Sequence, residues 1–322
     1  MRVVTFGEIM LRLNPRGYER FLQSEVFCAS YAGAESNVAI DLSLLGVNSE
    51  FVTRLPEHDI GEAALETLRR YGVSVEHCVR GGDRIGSFFL EKGAAQRGGK
   101  VIYDRAGSAI ATASRDMFDW GTILAGADWL HITGITPALS PAMLDVSLDA
   151  LQMAKALGIT VSMDLNYRAK LWTYEKAREV YKHLLPYVDY CKDILDYGDG
   201  EGDLAVVAAR MISDFSLRAV AVTRRNTYSA NDHGWSATVY TPEAAYTSRE
   251  YALHVVDRVG GGDSFSAGWI YALLHGMSLS EGVEFATAAS AIKHSIEGDY
   301  NLTTVAEIKA LAAGNASGRV QR

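Results

Sequence analysis

The sequence predicts an α/β protein with a mostly parallel sheet covered by helices on both faces, and three features carry that prediction. From Trp129 onward, short apolar runs alternate with helix-length amphipathic runs, the pattern of repeated βα units. Several of those runs are apolar throughout, as strands buried on both faces require. Further on, a strand-like run at 254–256 meets the triplet Gly260, Gly261 and Gly262, and a helical pattern follows directly to His275. With 322 residues, 48% of them hydrophobic, the chain can bury a large core.

Residues 3–6 form a buried-type strand ending at Gly7 and Glu8, and 11–13 either continue it or begin another. Residues 21–32 alternate loosely. The turn Gly33-Ala34-Glu35-Ser36-Asn37 precedes a helical run at 38–45 stopped by Gly46. Ser36 or Asn37 can cap that helix, and the same turn can offer amides to a sugar hydroxyl. Residues 51–54 read as a strand, 61–71 as an amphipathic helix stopped by Gly72, and 73–75 as an apolar run. Strands at 87–91 and 100–105 flank the polar stretch 94–99, which has hairpin character. Tyr103 and Arg105 are two apart and share a face, which suits an anionic ligand or an ordinary exposed strand face.

The alternation then becomes regular. A strand at 130–133 leads to Ser140 and Pro141, an N-cap and N1 pair for a helix reaching Leu157. A strand at 160–163 ends in Asp164-Leu165-Asn166-Tyr167-Arg168. Next come a helix at 174–185, a strand at 188–191, a helix at 204–215 capped by Asp203, a strand at 219–222 and part of a hairpin at 235–240. Helices at 264–275, 281–294 and 305–312 complete the pattern, and the polar tail 315–322 is expected to lack order. Ligands of such sheets bind at the carboxyl ends of strands, so Gly7-Glu8, 164–168, 223–226 and 260–263 should converge.

A net charge of -8 and a pI near 5.5 argue against a nucleic-acid surface. No apolar stretch approaches membrane length, and the apolar start meets Glu8 too soon for a signal peptide. Cys28, Cys78 and Cys191 are odd in number and widely spaced, as free thiols in a reducing cytosol would be. A cytoplasmic protein is expected.

The glycine triplet leaves backbone amides bare at a helix start, a cradle for phosphate. No Lys-Ser or Lys-Thr follows it, and the spacing is not G-x-G-x-x-G, so it is neither a Walker A loop nor a dinucleotide turn. Asp263 stands at the mouth of this anion hole. It can serve as a base taking a proton from an attacking hydroxyl, or it can merely cap the helix. If Arg105 and Arg168 share its pocket, the acceptor is an acid sugar; each can instead be a surface residue in a local ion pair.

The stretch DRVGGGDSF at 257–265 resembles the C-terminal signature of the ribokinase-like (PfkB) sugar kinases, and GAESN at 33–37 resembles their sugar-binding glycine motif. Order and spacing fit over nearly the whole chain. YDRAGSA, HITGITPALS, DLNYR, HSIEGDYN and the final NASGRVQR are similar to segments of the 2-keto-3-deoxygluconate kinases. The resemblance implies one three-layer α/β/α domain over 1–322 with a small β lid from about 11–32 and 85–107. It implies transfer of the ATP γ-phosphoryl, with Mg²⁺, to the primary hydroxyl of 2-keto-3-deoxygluconate. Asp263 would be the base, and the amides of Gly260, Gly261 and Gly262 the anion hole. Gly33, Asn37, Tyr103, Arg105 and Arg168 would hold the sugar acid. Thr223, Arg225, His294 and Asn301 would lie near the nucleotide, and Asp257 would help hold a monovalent cation. The lid would act as a homodimer contact.

Two stretches depart from that family pattern. Where an N-x-x-E motif is expected to organise Mg²⁺, the chain has Lys192-Asp193-Ile194-Leu195-Asp196. Asp193 and Asp196 can act as a substitute pair, or as cap and loop acids. Thr223 to Thr227, TRRNT, stands in place of a Gly-rich nucleotide turn. Two alternatives therefore accompany the leading reading, a kinase for a neutral sugar such as fructose or ribose and a sugar-binding protein with weak catalysis.

Overall fold

The computed structural model of the protein describes residues 1–315. Its main sheet runs, from one edge, Ala245–Thr247, Asp232–Tyr240, Ala219–Thr227, Tyr190–Lys192, Thr160–Asp164, Trp129–Thr133, Arg2–Phe6 and Asn48–Val52, with Tyr251–His254 also pairing to Asp232–Tyr240. The neighbours from Ala219–Thr227 to Asn48–Val52 are all parallel, and the remaining edge is antiparallel. Helices cover both faces. On one side Met143, Val146, Val180, Leu184 and Met211 pack from Pro141–Ala156, Tyr174–Leu184 and Leu204–Phe215. On the other Val38, Leu42, Ile270 and Ala288 pack from Ala34–Leu44, Gly261–Leu274 and Leu279–Lys293. The continuous apolar runs are continuous because both their faces are covered.

A second sheet, ordered Phe27–Ala32, Met10–Pro15, Ser87–Glu91 and Lys100–Asp104, stands beside the carboxyl ends of the parallel strands. Residues 87–91 and 100–104 form the expected antiparallel hairpin. Residues 10–15 belong to this sheet and do not prolong the first strand, since Met10 pairs with Ala32 and Leu11 with Ser87.

Local signals held where capping chemistry is explicit. Ser140 accepts from Met143 N with Pro141 at the first turn, and Asp203 accepts from Ala205 N at the start of Leu204–Phe215. They misplaced two helix starts. The helix over 34–44 has Gly33 as its N-cap, so Ser36 and Asn37 lie within it, and the helix over 261–274 has Gly260 as its N-cap. In both cases a glycine takes the cap position because neighbouring backbone leaves no room for a side chain: a Cβ on Gly33 would lie 1.8 Å from Glu8 O, and one on Gly260 1.9 Å from Asp299 O. The apolar run 73–75 forms only a single bridge, Ser74 to Glu50. Nor does the strand expected at 219–222 stop before the polar residues Thr223 to Thr227. These extend it, Thr223 pairing with Ala237 and Arg225 with Trp235. The tail beyond Asn315, with most of the NASGRVQR segment, lies outside the described residues.

Candidate active site

The parallel strands end together, and the segments leaving those ends meet in one cleft of about 630 Å³ roofed by the lid. Met10, Ala32, Phe88 and Leu90 supply its apolar lid wall. Gly33, Asn37, Tyr103, Arg105, Arg168, Asp193, Thr223, Arg225, Gly260, Gly262, Asp263 and His294 all line it. Most of the residues singled out from sequence therefore converge, drawn from segments far apart in the chain.

Asp263 points its carboxylate into the cleft from the first turn of the helix, where the N-terminal partial charge is positive. Gly260 caps that helix and makes no side-chain bond to it, so Asp263 does not serve as the cap. Its Oδ2 accepts instead from Asn37 Nδ2 at 2.7 Å, while Asn37 Oδ1 accepts from Gly33 N at 3.3 Å. One amide thus fixes both the first glycine turn and the acid at the second. Burial pushes the Asp263 carboxyl up to about 7; the Asn37 bond, Lys192 and Arg168 pull it down, and Asp164 pushes it up. A carboxylate poised near neutrality is what proton abstraction from a hydroxyl needs.

The glycine turn is braced from behind. Ser290 Oγ donates to Gly261 O at 2.7 Å, and the His294 ring lies where a Cβ on Gly261 would meet it at 2.4 Å. His294 Nδ1 donates to Ser290 O, and burial holds its pKa down near 4, so it is a neutral ring, tilted against Trp235 with centroids 5.1 Å apart. Asn301 is placed differently from expectation. It is buried behind the turn, donating to Ser264 Oγ and Ala289 O, and does not line the cleft.

On the opposite wall Arg105 is buried over the Tyr103 ring, 4.4 Å from its centroid, with its Nε 3.5 Å from Glu8 Oε2. Its Nε and Nη1 make no hydrogen bond among the described residues. Glu8 is itself buried, accepts from Ser108 Oγ, and has its carboxyl raised to about 7 by burial against the pull of Arg105. Arg168 reaches the same cleft from an exposed position after the strand Thr160–Asp164. Two guanidinium groups with free donors in one pocket suit a carboxylate ligand.

The third corner holds a residue whose role the sequence did not reveal. Lys192 Nζ bonds Asp164 Oδ2 at 2.6 Å and lies 3.2 Å from where a Cβ on Gly262 would be, beside the amide cradle. Burial opposes its charge, but Asp164 and Asp193 raise its pKa further, so it stays an ammonium. Its position at the carboxyl end of a core strand was the available signal. Asp193 follows it in the left-handed region, φ 72°, and Asn166, another wall residue, has φ 42°. Such conformations in non-glycine residues gather at functional sites. Asp193 therefore faces the cleft with Asp164, while Asp196 does not: it is exposed, binding Gly198 N and pairing with Arg178. Of the expected Asp193 and Asp196 pair, only Asp193 lines the cleft, with Asp164 as its acidic neighbour there.

Asp257 also departs from expectation. Its carboxylate is bonded to Arg12 Nη2 at 2.6 Å, and its carbonyl accepts from Lys293 Nζ at 3.3 Å, so protein cations already occupy it. Among the described residues no three His, Cys, Asp or Glu side chains converge as metal ligands.

The model of the pfkB family carbohydrate kinases matches residues 1–192 and 237–304, which takes in both glycine turns and Asp263. The chain belongs to the PfkB family of carbohydrate kinases. The kinase has that family's ribokinase-like fold, a mostly parallel sheet with helices on both sides. It is 43% identical to the 2-dehydro-3-deoxygluconokinase of Thermotoga maritima, with a TM-score of 0.94 over 98% of each chain. It is 34% identical to a 2-dehydro-3-deoxygalactonokinase of Haloferax volcanii over 98% of each chain. It is 30% identical to a 2-dehydro-3-deoxygluconokinase of Bacillus subtilis, covering 92% of this chain and 91% of that one. The internal unmatched stretch, 193–236, begins at Asp193 and contains the strand Ala219–Thr227, the region where the sequence motifs also depart.

Proposed function

We propose that the kinase transfers the γ-phosphoryl group of ATP to the primary hydroxyl of 2-keto-3-deoxygluconate (2-dehydro-3-deoxygluconate), giving the 6-phosphate. The observation that carries this reading is one cleft holding Asp263, poised near neutrality beside a bare-amide turn, together with two arginines able to take a carboxylate. Gly33 and Asn37 would receive sugar hydroxyls, and Tyr103, Arg105 and Arg168 the acid end. Asp263 would accept the hydroxyl proton as that oxygen attacks the γ-phosphorus and the bond to the ADP oxygen breaks. The amides at Gly260, Gly261 and Gly262 and the ammonium of Lys192 would take the charge spreading over the transferred group. Thr223, Arg225 and His294 would flank the nucleotide, with Arg225 beside Trp235 and Arg258 in the same wall. Asn301 would act through Ser264 as a brace.

Asp193, with Asp164 beside it, would hold Mg²⁺ together with the substrate phosphates, whose charge it would neutralise; Asp164 Oδ2 already accepts from Lys192 Nζ and Oδ1 from Asn166 N, so Asp193 would carry most of that contact. The monovalent cation assigned to Asp257 by resemblance is not carried into this reading, since Arg12 and Lys293 hold those oxygens.

The whole chain would act as one kinase domain with a β lid, and the lid supports a homodimer. Leu22, Val26, Phe27 and Ile102 are large apolar residues exposed on or beside it. A cytoplasmic location belongs to the same reading, supported by three free thiols and an ATP-dependent reaction. A second reading, the 2-keto-3-deoxygalactonate epimer as substrate, is favoured by the Haloferax relative. A coupled ADP-release assay over both sugar acids, fructose and ribose tests all of these. Preference for a neutral sugar would overturn the acid-sugar reading. No turnover combined with a sugar-induced rise in Tm would favour a binding protein.

A further inference from the structure

Asp257 lies six residues before Asp263, on the segment that enters the glycine turn, and the protein itself answers both of its carboxylate oxygens and its carbonyl. Oδ2 accepts from Arg12 Nη2 at 2.6 Å and Gly298 N at 3.2 Å, and Oδ1 accepts from Val259 N at 3.1 Å. Its carbonyl oxygen accepts from Lys293 Nζ at 3.3 Å, and the same ammonium donates to Ile296 O at 3.1 Å. Arg12 turns its other amino group to Asp299 Oδ2 at 2.6 Å.

Arg12 is 1% exposed and Lys293 0%. Fully buried cations persist only when paired, and here Asp257, Asp299 and Asp41 face them. Two main-chain carbonyls with carboxylates close by form an all-oxygen pocket, the donor set that hard cations take. In this chain the centre of that pocket is filled by a side chain.

The arrangement bears directly on the turn. Lys293 ends the helix Leu279–Lys293 and ties Ile296, beyond the helix, to Asp257, ahead of the turn. Arg12 ties Asp257 to Asp299, whose carbonyl stands 1.9 Å from the Cβ position of Gly260. Segments on both sides of Gly260, Gly261 and Gly262 are thereby clamped around positive charge.

We infer that the Lys293 ammonium, backed by the Arg12 guanidinium, is a built-in cation that holds the anion hole in its working shape, so that the kinase needs no free monovalent cation. A free ion would leave and return with the composition of the medium. A tethered amine cannot leave with the medium; burial lowers its pKa, and Asp257, Asp299 and Asp41 oppose that loss of charge. The inference rests on the glycine turn receiving the phosphoryl group, and it holds for any sugar acceptor.

The test compares the purified kinase in potassium, sodium and choline chloride at equal ionic strength, reading kcat and Tm. Wild-type kcat should agree within about twofold across the three salts and Tm should not respond to K⁺, because a site already filled gives no binding stabilisation. Lys293→Ala should lose about tenfold or more of kcat in choline, as expected when charge support for an anion hole is removed, and K⁺ or NH₄⁺ should restore part of it and raise Tm. Lys293→Met, which refills the space without charge, should show the loss and no restoration. Activation of the wild type by K⁺ of about tenfold would overturn the inference, and so would full activity in Lys293→Met. Should Lys293→Ala not fold, the wild-type arm still decides. The Tm arm needs no turnover, so failure of the substrate reading remains distinguishable from failure of this one.

Discussion

On the glycine-turn side of the cleft, nearly every polar group near the chemistry already has a protein partner: Asn37 holds Asp263, Ser290 holds Gly261, and Asn301 holds Ser264. On the lid side donors stand open: Arg105 turns its Nε toward Glu8, its Nη1 is unbonded among the described residues, and Arg168 is exposed. The difference separates preorganisation for the reaction from readiness for a ligand. Groups that must meet a transition state are fixed in advance, because reorganising them would raise the barrier. Groups that recognise a substrate keep unsatisfied donors, because a carboxylate will satisfy them on binding.

This contrast predicts different kinetic signatures for the two sides. The largest effect is expected from Asp263→Asn, which should lower kcat by about 10²- to 10⁴-fold while sugar binding, read by Tm shift or calorimetry, survives. A variant keeping most of its kcat would remove the base from the mechanism. On the lid side, Arg105→Ala or Arg168→Ala should raise KM for the sugar acid by about 10- to 100-fold, the loss of a charge-assisted bond, with a smaller change in kcat. Equal effects on kcat and kcat/KM would erase the distinction between the sides.

The pH profile sharpens it further. Asp263 must be ionised to act, and its carboxyl is raised to about 7, so kcat/KM should fall about tenfold per unit as pH drops below that value and level off above it. Glu8 titrates near the same pH, and its ionised form supports Arg105, so it acts in the same direction. Glu8→Gln should therefore make the acid limb shallower and raise KM several-fold, without the collapse in kcat expected of Asp263→Asn. A profile unchanged in Glu8→Gln would assign the whole limb to the base. The smallest catalytic effect is expected from Leu22→Asp at the exposed lid edge. It should convert a dimer to a monomer in light scattering with kcat changed by less than about twofold, since the residue is distant in role from both sides.

Local chemistry made much of this legible in the sequence. The βα alternation pointed to the sheet, the glycine triplet marked a turn that opens a helix on the cleft wall, and Ser140-Pro141 and Asp203 marked helix starts that the structure reproduces. What escaped is non-local. Nothing near Arg12 announces that its partner is Asp299, 287 positions away, and nothing near Lys192 shows that it will sit beside Gly262. The resemblance put Asn301 near the nucleotide, but a motif match does not tell which side of the turn a side chain reaches, and Asn301 lies behind it. Ser36 and Asn37 looked like caps because the crowding of Gly33 against Glu8 is a tertiary fact. The polar residues 223–227 lie outside the strand expected at 219–222, but pairing with the strand Asp232–Tyr240 overrode their polarity.

The two ion pairs of Arg12 have a consequence for motion. Arg12 belongs to the strand Met10–Pro15, the second of the four in the lid, so that strand cannot leave the body of the molecule without exposing three buried charges. The lid is therefore anchored along this strand, and opening of the outer hairpin that carries Tyr103 would have to break lighter ties such as Ala95 N to Asn231 Oδ1 and Ala230 N to Ala95 O. Amide exchange should follow that gradient, slowest at 10–15 and fastest toward the hairpin tip at 92–99, with substrate protecting the tip and leaving the anchored strand unchanged.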